Sequence, residues 1–482
     1  MTKASKRFKI FIALLFAAVL LLIGAAAYLI NYANIPPRQL GPYLVRRSTG
    51  HNPAIEQVGQ QLQRILLQLD RGTPAQRSLQ SWTIGAQNSA PPNPMTNAQV
   101  VLVSTATELR QAIATAHAGQ VITLLPGHYA FNGDGSLYIA QPGTAEAPIV
   151  LRAEQPGSVF IDLNTSEGFQ VNAPYWTFEN LVIHGTCKRQ EFCEHAFHVV
   201  GKAAHFTARN NMIVDFNAHF KINGEDGFFP DSGLITGNTL TNSTVRQTSN
   251  PVTPIDLVAA NHWRISHNLI SDFIKGEGDT TSYGAFVKGG GSDNRIEQNI
   301  VLCEYLLQGN PGQQVGLSLG GGGTGPQYCR DQRCITEQSG GVIASNLIAS
   351  CSDDGIYINR SASSKIVHNT LVDTGGITVR FAESSADVEG NLVDSVVRAR
   401  DDGLLRTADN MITGPINLYL GRHPVRQLFT APEVLDFTWR EKTPVRKNVE
   451  EAIPDLCQDK RTRQISYGAF EDFSSCLQMR KN

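Results

Sequence analysis

The chain has 482 residues, with 41 lysines and arginines against 43 aspartates and glutamates, and a net charge of -2. This balance leaves no basic excess to hold a phosphate backbone, which argues against a nucleic-acid partner. The 43 glycines, 23 prolines and 8% aromatic residues are typical of many short strands joined by turns, rather than of a helical bundle.

An apolar segment near the start of the chain predicts a transmembrane helix over residues 11–30, whose 20 apolar residues are enough to cross a bilayer. Four cations lie between residues 3 and 9, and the next cation is Arg38. The positive-inside rule therefore predicts a cytoplasmic tail over residues 1–10 and a single-pass inner-membrane protein that faces the periplasm. The alternative is a secreted protein whose signal peptide is cleaved at the small residues 25–27.

Residues 31–99 are predicted to be a helical linker region. Within it, residues 78–97 are rich in proline and typical of an extended linker. One predicted helix is expected to pack on the following domain or on the membrane surface, because six aliphatic residues share one of its faces: Ile55, Val58, Leu62, Ile65, Leu66 and Leu69.

The next segment predicts a cap followed by a strand. Residues 107–116 are amphipathic and helical in pattern, and residues 119–129 alternate as a strand that ends in a turn. A helix at this point would cover the open edge of a repeat domain, which would otherwise pair with other chains.

An asparagine followed by aliphatic residues recurs through the middle of the chain, with spacings of 31, 27, 30, 31, 47, 23, 22 and 19 residues. Such loose spacing favours a solenoid whose coils share one turn and differ in their loops. Asparagine tolerates the left-handed turn conformation, and stacked amides can hydrogen-bond from coil to coil. We predict an all-β, right-handed parallel β-helix over residues 100–425 and a C-terminal cap over residues 426–482. The asparagines are Asn180, Asn211, Asn238, Asn268, Asn299, Asn346, Asn369, Asn391 and Asn410.

All eight cysteines follow the apolar segment, on the side of a membrane where disulfides persist. Their spacing favours three close pairs but does not by itself fix the connectivity: Cys187 with Cys193, Cys329 with Cys334, and Cys457 with Cys476. The remaining two, Cys303 and Cys351, are expected on neighbouring rungs. A zinc site is a weak alternative, since no Cys-x-x-Cys spacing is present.

A strand of the form apolar-polar-apolar precedes the asparagine in nearly every coil. Because side chains alternate along a strand, the polar residues should face outward as a column with rungs about 4.8 Å apart. This column is a candidate groove, and its members are His198, Lys221, Asp256, Lys288, Ser318, Asn359 and Arg380.

Residues 100–185 resemble a known protein family. The resemblance lies in the cap helix, the strand after it, the segment 147–161 and the coil 175–183. They resemble the polysaccharide lyase family that contains chondroitinase B and alginate lyases, and the likeness continues more weakly to about residue 415. The segment 466–471 is similar to the closing segment of many secreted β-helix proteins. The resemblance implies an acidic, uronate-containing polysaccharide as substrate and a lysine as the base of a β-elimination, which matches Lys288.

Lys288 precedes three consecutive glycines, which let a polymer approach the backbone closely. Lys221, Asp256 and His198 are the further catalytic candidates along the column. Calcium is the cofactor that the resemblance implies, but the family's glutamates and arginine are not matched, since Thr281, Tyr283 and the glycine-rich segment 316–322 stand there.

The other candidates complete the predicted site. His219, Ser318, Asn359 and Arg380 are the predicted substrate-binding residues, and Asp256 with Glu277 is the predicted cation pair. A nucleotide is not expected, because the glycines at 320–323 lack the lysine and the helix of a phosphate-binding loop. The insertion between Asn299 and Asn346 carries a close cysteine pair and should shape the groove. A non-catalytic glycan-binding or structural envelope protein and a uronate C5-epimerase are the alternative functions.

Overall fold

The computed structural model describes residues 3–75, 77, 85–86, 99–133, 135–446, 453–457, 461 and 465–478. Three long parallel sheets run side by side along one axis, and each coil of the chain contributes a strand to each sheet in turn. The predicted parallel β-helix is therefore confirmed. Most of the predicted linker at 78–97 lies outside the described residues.

The first sheet has twelve strands: Gln99–Val103, Gln120–Leu124, Ile149–Ala153, Trp176–Glu179, Thr207–Arg209, Leu234–Thr236, Arg264–Ser266, Arg295–Glu297, Val342–Ala344, Ser364–Val367, Ser385–Glu389 and Leu404–Ala408. The second has eleven: Gly127–Asn132, Val159–Asn164, Val182–Gly185, Met212–Val214, Thr239–Thr241, Leu269–Ser271, Ile300–Leu302, Leu347–Ala349, Thr370–Val372, Leu392–Val393 and Met411–Ile412.

The third sheet, which we call the groove sheet, has ten strands: Leu137–Ile139, Glu167–Val171, His195–Val200, Ala218–Asn223, Ile255–Val258, Thr281–Lys288, Gln313–Leu319, Ile356–Asn359, Ile377–Arg380 and Val397–Arg400. Three short strands form a further parallel sheet: Gly291–Ser292, Gln338–Ser339 and Ser361–Ala362. An antiparallel pair, Phe429–Ala431 and Asp436–Trp439, lies in the C-terminal part.

Aromatic side chains stack along the axis of the solenoid. Phe169, Phe197 and Phe220 occupy the same strand position in successive coils, with ring centroids 5.0 and 5.2 Å apart. All three are fully buried. Burial of a phenylalanine contributes about 1.5–3 kcal/mol, so the stack both stabilises the coils and fixes their register.

The asparagine ladder predicted from the spacing is confirmed from Asn211 onward. Each side-chain amide nitrogen donates to the side-chain oxygen of the next asparagine, at 2.9–3.0 Å from Asn211 through to Asn410. The same oxygen also accepts from the backbone N–H of the preceding asparagine, for example Asn268 to Asn299 at 3.0 Å. The ladder thus satisfies buried polar groups at every turn.

The left-handed conformation lies one residue earlier than expected. Asn210, His267 and Gln298, each just before a ladder asparagine, have positive φ, whereas the ladder asparagines do not. Asn180 is the exception, because its φ is 64° and it accepts from Asn210. Asn180 therefore occupies the turn position that Asn210 occupies in the next coil, and the ladder begins at Asn211.

The cap helix spans Ala106–Ala114 and begins with a capping box in which Thr105 and Glu108 each bind the other's backbone N–H. Leu109 and Ile113 are buried against the first coils. A helix at the open end of the solenoid, as predicted, is confirmed.

The N-terminal region is helical over Lys3–Ala33, Pro37–Ser48 and Pro53–Arg71. Of these, Phe11–Ala33 is long and apolar enough to cross a membrane, with a mean hydropathy of 2.7. The next two helices are tied to the solenoid through Arg38, whose guanidinium pairs with Asp70 and donates to the Cys351 carbonyl at 2.7 Å.

Four of the six residues on the apolar face of the helix Pro53–Arg71 are exposed, whereas Leu66 and Leu69 are half-buried. Ile55, Val58, Leu62 and Ile65 are all exposed, by 42–54%. The helix contacts the solenoid through Arg71, which pairs with Glu304 and Asp373, and not through these four residues.

The disulfide framework has four bonds: Cys187–Cys193, Cys303–Cys351, Cys329–Cys334 and Cys457–Cys476. The three close pairs are confirmed. Cys303 and Cys351 lie on neighbouring rungs as expected and are bonded to each other. The short helix Phe473–Gln478 carries Cys476 and contacts the strand Asp436–Trp439.

Candidate functional site

The outward column of the groove sheet is continuous in register. His198 pairs with Lys221, and Lys221 pairs with Asp256. Asp256 then pairs with Phe286, and Phe286 pairs with Ser318. Four predicted members of the column therefore share one row, in which Phe286 takes the place expected for Lys288.

Lys288, Asn359 and Arg380 lie two residues further along their strands. Lys288 pairs with Val258, and Asn359 pairs with Arg380. Comparing the coils by sequence could not reveal this shift. A shift of two residues keeps every side chain on the same face of the strand, so the apolar-polar pattern stays unchanged. The groove sheet thus carries two parallel rows of polar groups in place of one.

Lys221 and Asp256 form an ion pair at the centre of the first row. Lys221 Nζ donates to Asp256 Oδ2 at 2.7 Å, and the Asp256 side chain is only 8% exposed. The other oxygen, Oδ1, is buried and accepts no hydrogen bond within the described part of the chain.

Lys288 is the chemically distinctive group of the second row. Its ammonium lies over the Phe286 ring, 4.3 Å from the centroid, and it forms no ion pair with any described residue. Burial lowers the pKa of Lys288, the charge of Asp256 opposes this shift, and the charge of Lys221 adds to it. A partly buried lysine with a depressed pKa is suited to act as a base.

A stapled loop forms one wall beside Lys288. The loop extends from Gly320 to Glu337 and contains the Cys329–Cys334 disulfide. Arg330 fastens it across the coils, since its guanidinium donates to both carboxylate oxygens of Asp231 at 2.7 and 2.9 Å and stacks on Phe229.

The glycines at the start of this loop make room for the lysine. A methyl group at Gly321 would lie 2.7 Å from Lys288 Cδ, which is too close for an ordinary contact. The predicted proximity of the insertion to Lys288 is confirmed by this contact.

His198 lies at the other end of the first row, with both ring nitrogens engaged. Nδ1 is 2.9 Å from Glu167 Oε1, and Nε2 is 2.8 Å from Asn223 Oδ1. Burial alone would lower the pKa of His198, but the hydrogen bonds to Glu167 and Asn223 raise it. The sequence analysis did not single out Glu167 or His195, which belong to this cluster.

Two predicted substrate-binding residues do not reach the groove surface. His219 is fully buried, its Nε2 lies 3.0 Å from the Thr241 carbonyl, and burial lowers its pKa to about 4. Ser318 is also fully buried, and its hydroxyl donates to the carbonyl of Gly320 or Tyr357. The short alternating pattern could not reveal that neighbouring loops cover these positions.

The remaining candidates are distributed along the second row. Asn359 Nδ2 donates to the Gly321 carbonyl at 3.0 Å, and its side-chain oxygen is buried without a partner among the described residues. Arg380 pairs with Asp401 and stacks on Phe381, with its side chain 34% exposed.

Glu277 and Asp256 do not form the predicted cation pair. Glu277 lies in the turn before the strand Thr281–Lys288, whereas Asp256 pairs with Phe286 near the far end of that strand. The five residue-to-residue steps from Thr281 to Phe286 alone span about 16 Å.

The residues around Lys288 do not fit a calcium site. Calcium takes six to eight oxygen ligands, usually including several carboxylates. Here Asp256 is already paired with Lys221, and Glu337 is fully buried with its Oε2 bound to Thr324. Thr281 and Tyr283 supply no carboxylate at the positions where the resemblance would place calcium ligands.

Comparisons with known proteins agree with the parallel β-helix fold. Residues 103–273 match the sequence model of the Chondroitinase B family. Pectate lyase Pel9A superimposes with a TM-score of 0.58 at 13% identity, over 81% of this chain and 100% of that chain. The chain is a parallel β-helix protein, and its residues 103–273 resemble the Chondroitinase B family. No curated protein matches the sequence.

Two further solved structures show a more distant likeness. The family 6 polysaccharide lyase Pedsa3628 from Pseudopedobacter saltans has a TM-score of 0.34 at 14% identity, over 65% of this chain and 92% of that chain. A mannuronic acid specific family 6 lyase from human gut microbiota has a TM-score of 0.40 at 16% identity, over 65% of this chain and 83% of that chain.

Proposed function

We propose that this protein cleaves an acidic, uronate-containing polysaccharide by β-elimination, with Lys288 as the base. The observation that carries the proposal is the state of Lys288, which is held over Phe286 without an ion pair in the described residues and has a pKa lowered by burial. A lysine in this state is neutral in a larger fraction of molecules near neutral pH, and can accept a proton.

The chemistry requires one proton abstraction and one bond cleavage. Neutral Lys288 Nζ would take the proton from C5 of a uronate, next to its carboxylate. The electrons left on C5 form the C4=C5 double bond as the C4–O glycosidic bond breaks, and the departing oxygen takes a proton. The product carries an unsaturated uronate at its new non-reducing end.

Cations along the two rows are placed to hold a polyanion. Lys221 lies on the first row beside Asp256, and Arg380 and Arg400 occupy the same register position of neighbouring strands on the second row. With strands about 4.8 Å apart, Arg380 lies five strands from Lys221, so the two cations would contact separate acidic sugars of one polymer. Preorganised cations would also stabilise the charge that develops when C5 loses its proton.

We infer that the N-terminal helix anchors the enzyme to the inner membrane, with the solenoid in the periplasm. The helix Phe11–Ala33 supports this inference by its length and apolar character. The four disulfides suit an oxidising compartment. The exposed aliphatic face of Pro53–Arg71 suits contact with the same bilayer surface.

The test is an activity screen of the full-length protein in detergent with alginate, chondroitin, pectate and bacterial exopolysaccharides. A rise in ultraviolet absorbance from the unsaturated product is expected with at least one acidic polymer. Exchange of C5 protons with solvent, without chain cleavage, would instead identify an epimerase. Binding of a polymer without cleavage or exchange would identify a glycan-binding protein and contradict the proposal.

A further inference from the structure

Three side chains near one end of the groove sheet lie close enough to share one ligand. Glu167 and His195 pair in register on neighbouring strands, and His198 lies three residues after His195. One carboxylate oxygen of Glu167 and one ring nitrogen from each histidine all lie within 4.8 Å of one another. All three side chains are partly buried, by 74–86% of their surface.

The orientation of the His198 ring is fixed by Asn223. The Asn223 amide nitrogen donates to the Gly224 carbonyl at 3.0 Å, so its oxygen is the atom that faces His198 Nε2 at 2.8 Å. Nε2 must therefore carry a hydrogen. In the neutral ring Nδ1 then presents a lone pair to Glu167 Oε1 at only 2.9 Å.

Two acceptors at this distance repel each other unless a positive charge lies between them. His195 brings a second ring nitrogen to the same place, since its Nδ1 lies 3.7 Å from the same Glu167 oxygen. That nitrogen is buried and has no hydrogen-bond partner among the residues the structure describes. A buried ring nitrogen without a partner needs an explanation, and a bound ion is one that suits imidazole, the commonest metal ligand in proteins.

We propose that Glu167, His195 and His198 bind a divalent transition-metal ion of the Zn²⁺ class. Two imidazoles and one carboxylate are the donor set of zinc and non-haem iron sites that keep coordination positions open. The oxygen of Asn223, which orients His198, is the outer-shell partner that such sites use. Calcium, which prefers oxygen ligands throughout, is not expected here.

The site would contribute to the groove independently of Lys288. His198 is one rung from Lys221 and two from Asp256 on the first row. An open coordination position at the metal would therefore face ligands in the groove and accept water or an oxygen of a bound sugar. The proposal does not depend on the β-elimination, because it concerns occupancy of the cluster by a cation.

The alternative is a proton in place of the metal, which would make His198 an imidazolium paired with Glu167. This state needs no metal ion and would leave His195 Nδ1 at 3.7 Å from the Glu167 oxygen, too far for a hydrogen bond. Titration with metal separates the two, since an imidazolium pair would show only weak or non-stoichiometric uptake of Co²⁺ and Zn²⁺.

The experiment uses full-length protein in detergent, stripped with a chelator and titrated with Co²⁺ while visible absorption is followed. One equivalent of Co²⁺ should bind, Zn²⁺ should displace it, and Ca²⁺ should not. His195→Ala and Glu167→Gln should weaken binding by at least about 100-fold, and Asn223→Ala by about 10- to 100-fold. His262→Ala removes an exposed histidine outside the cluster and is the matched control.

The thermal midpoint of each variant without metal shows whether the variant is folded, and Zn²⁺ should raise the midpoint of the wild type but not of Glu167→Gln. Stoichiometric binding that is unchanged in both His195→Ala and Glu167→Gln would overturn the proposal, as would failure of the wild type to bind one equivalent. Neither result bears on Lys288, so the polysaccharide screen remains a separate test.

Discussion

Lys288 and Asp256 lie on adjacent strands of the groove sheet but two positions apart, and the lysine reaches back toward the carboxylate. Lys288 pairs in register with Val258, yet its ammonium lies over Phe286, the residue that pairs with Asp256. The long side chain thus brings the ammonium into the electrostatic field of the Lys221–Asp256 pair. The two rows of polar groups meet at this point.

Lys288→Ala should reduce turnover on a cleaved polysaccharide by at least about 100-fold, the lower range of what general-base catalysis contributes. The variant should remain folded, because Lys288 is only partly buried and makes no ion pair with described residues. Lys365→Ala, at an exposed position of the first sheet, is the control and should retain normal turnover. A Lys288→Ala enzyme with near-normal kcat would move the chemistry away from this residue.

The pH profile of kcat/KM should rise with pH toward the pKa of Lys288, which lies below the usual lysine value of about 10.4 because burial disfavours its charged form. Asp256→Asn should move this rise to lower pH, since the Asp256 charge supports the protonated lysine. Lys221→Met should move it to higher pH, since the Lys221 charge opposes protonation. Shifts in the same direction for both variants would contradict this electrostatic coupling.

Asn299→Ala should destabilise the solenoid strongly. Asn299 is fully buried, accepts from the backbone and side-chain N–H groups of Asn268, and donates to Asn346. Each buried group left unpaired costs about 1–3 kcal/mol, so a loss of several kcal/mol is expected. Asn410→Ala, at the end of the ladder, should cost less because it breaks contacts with Asn391 only on one side. Thermal unfolding of the two variants makes the comparison.

Loss of the Cys303–Cys351 disulfide should cost more stability than loss of Cys329–Cys334. The first joins residues 48 apart and the second joins residues 5 apart. In the chain-entropy treatment these loops correspond to about 4 and about 2 kcal/mol. Double alanine variants, compared by thermal unfolding, provide the measurement. Eight free thiols in unfolded protein taken from the periplasm would refute the disulfide assignment altogether.

The wild type should lose stability on acidification between about pH 6.5 and pH 4, in part through His219. Its folded pKa of about 4 lies below the value of 6.5 expected for an exposed histidine, because the ring is buried. The unfolded chain therefore binds the proton first as the pH falls, so this stability is complete above pH 6.5 and decreases toward pH 4. The full effect is at most about 3 kcal/mol.

His219→Gln can keep a donor toward the Thr241 carbonyl while removing the titrating ring. Its unfolding midpoint should depend less on pH than that of the wild type over this window, and the two proteins should differ least in pH dependence above pH 7. An equal acid-induced loss in both proteins would assign the titration to other groups.

Local pattern was sufficient for much of this architecture. The recurring asparagines predicted the coils and the ladder because each coil repeats the same turn, and the turn sequence is local. Close cysteines predicted their partners because a short loop leaves few other geometries. The apolar segment and the capping helix likewise depend on neighbours within a few turns of the chain.

The arrangement of the candidate site depends on contacts between coils, which no local sequence pattern predicts. A shift of two residues preserves the alternation of faces, so only the strand pairing could separate Lys288 from the row of Asp256. Burial of His219 and Ser318 is caused by packing around them, which their own sequence does not encode.

Glu167, His195 and His198 come together because two neighbouring coils are paired. Glu167 lies 28 or more residues before the two histidines along the chain. Sequence alone therefore determined the repeat and the cap and favoured the three close cysteine pairs, since each is set by interactions among close neighbours or by a repeated turn. Tertiary structure alone decided which polar groups face each other across the rungs, because that depends on the length of every loop between them.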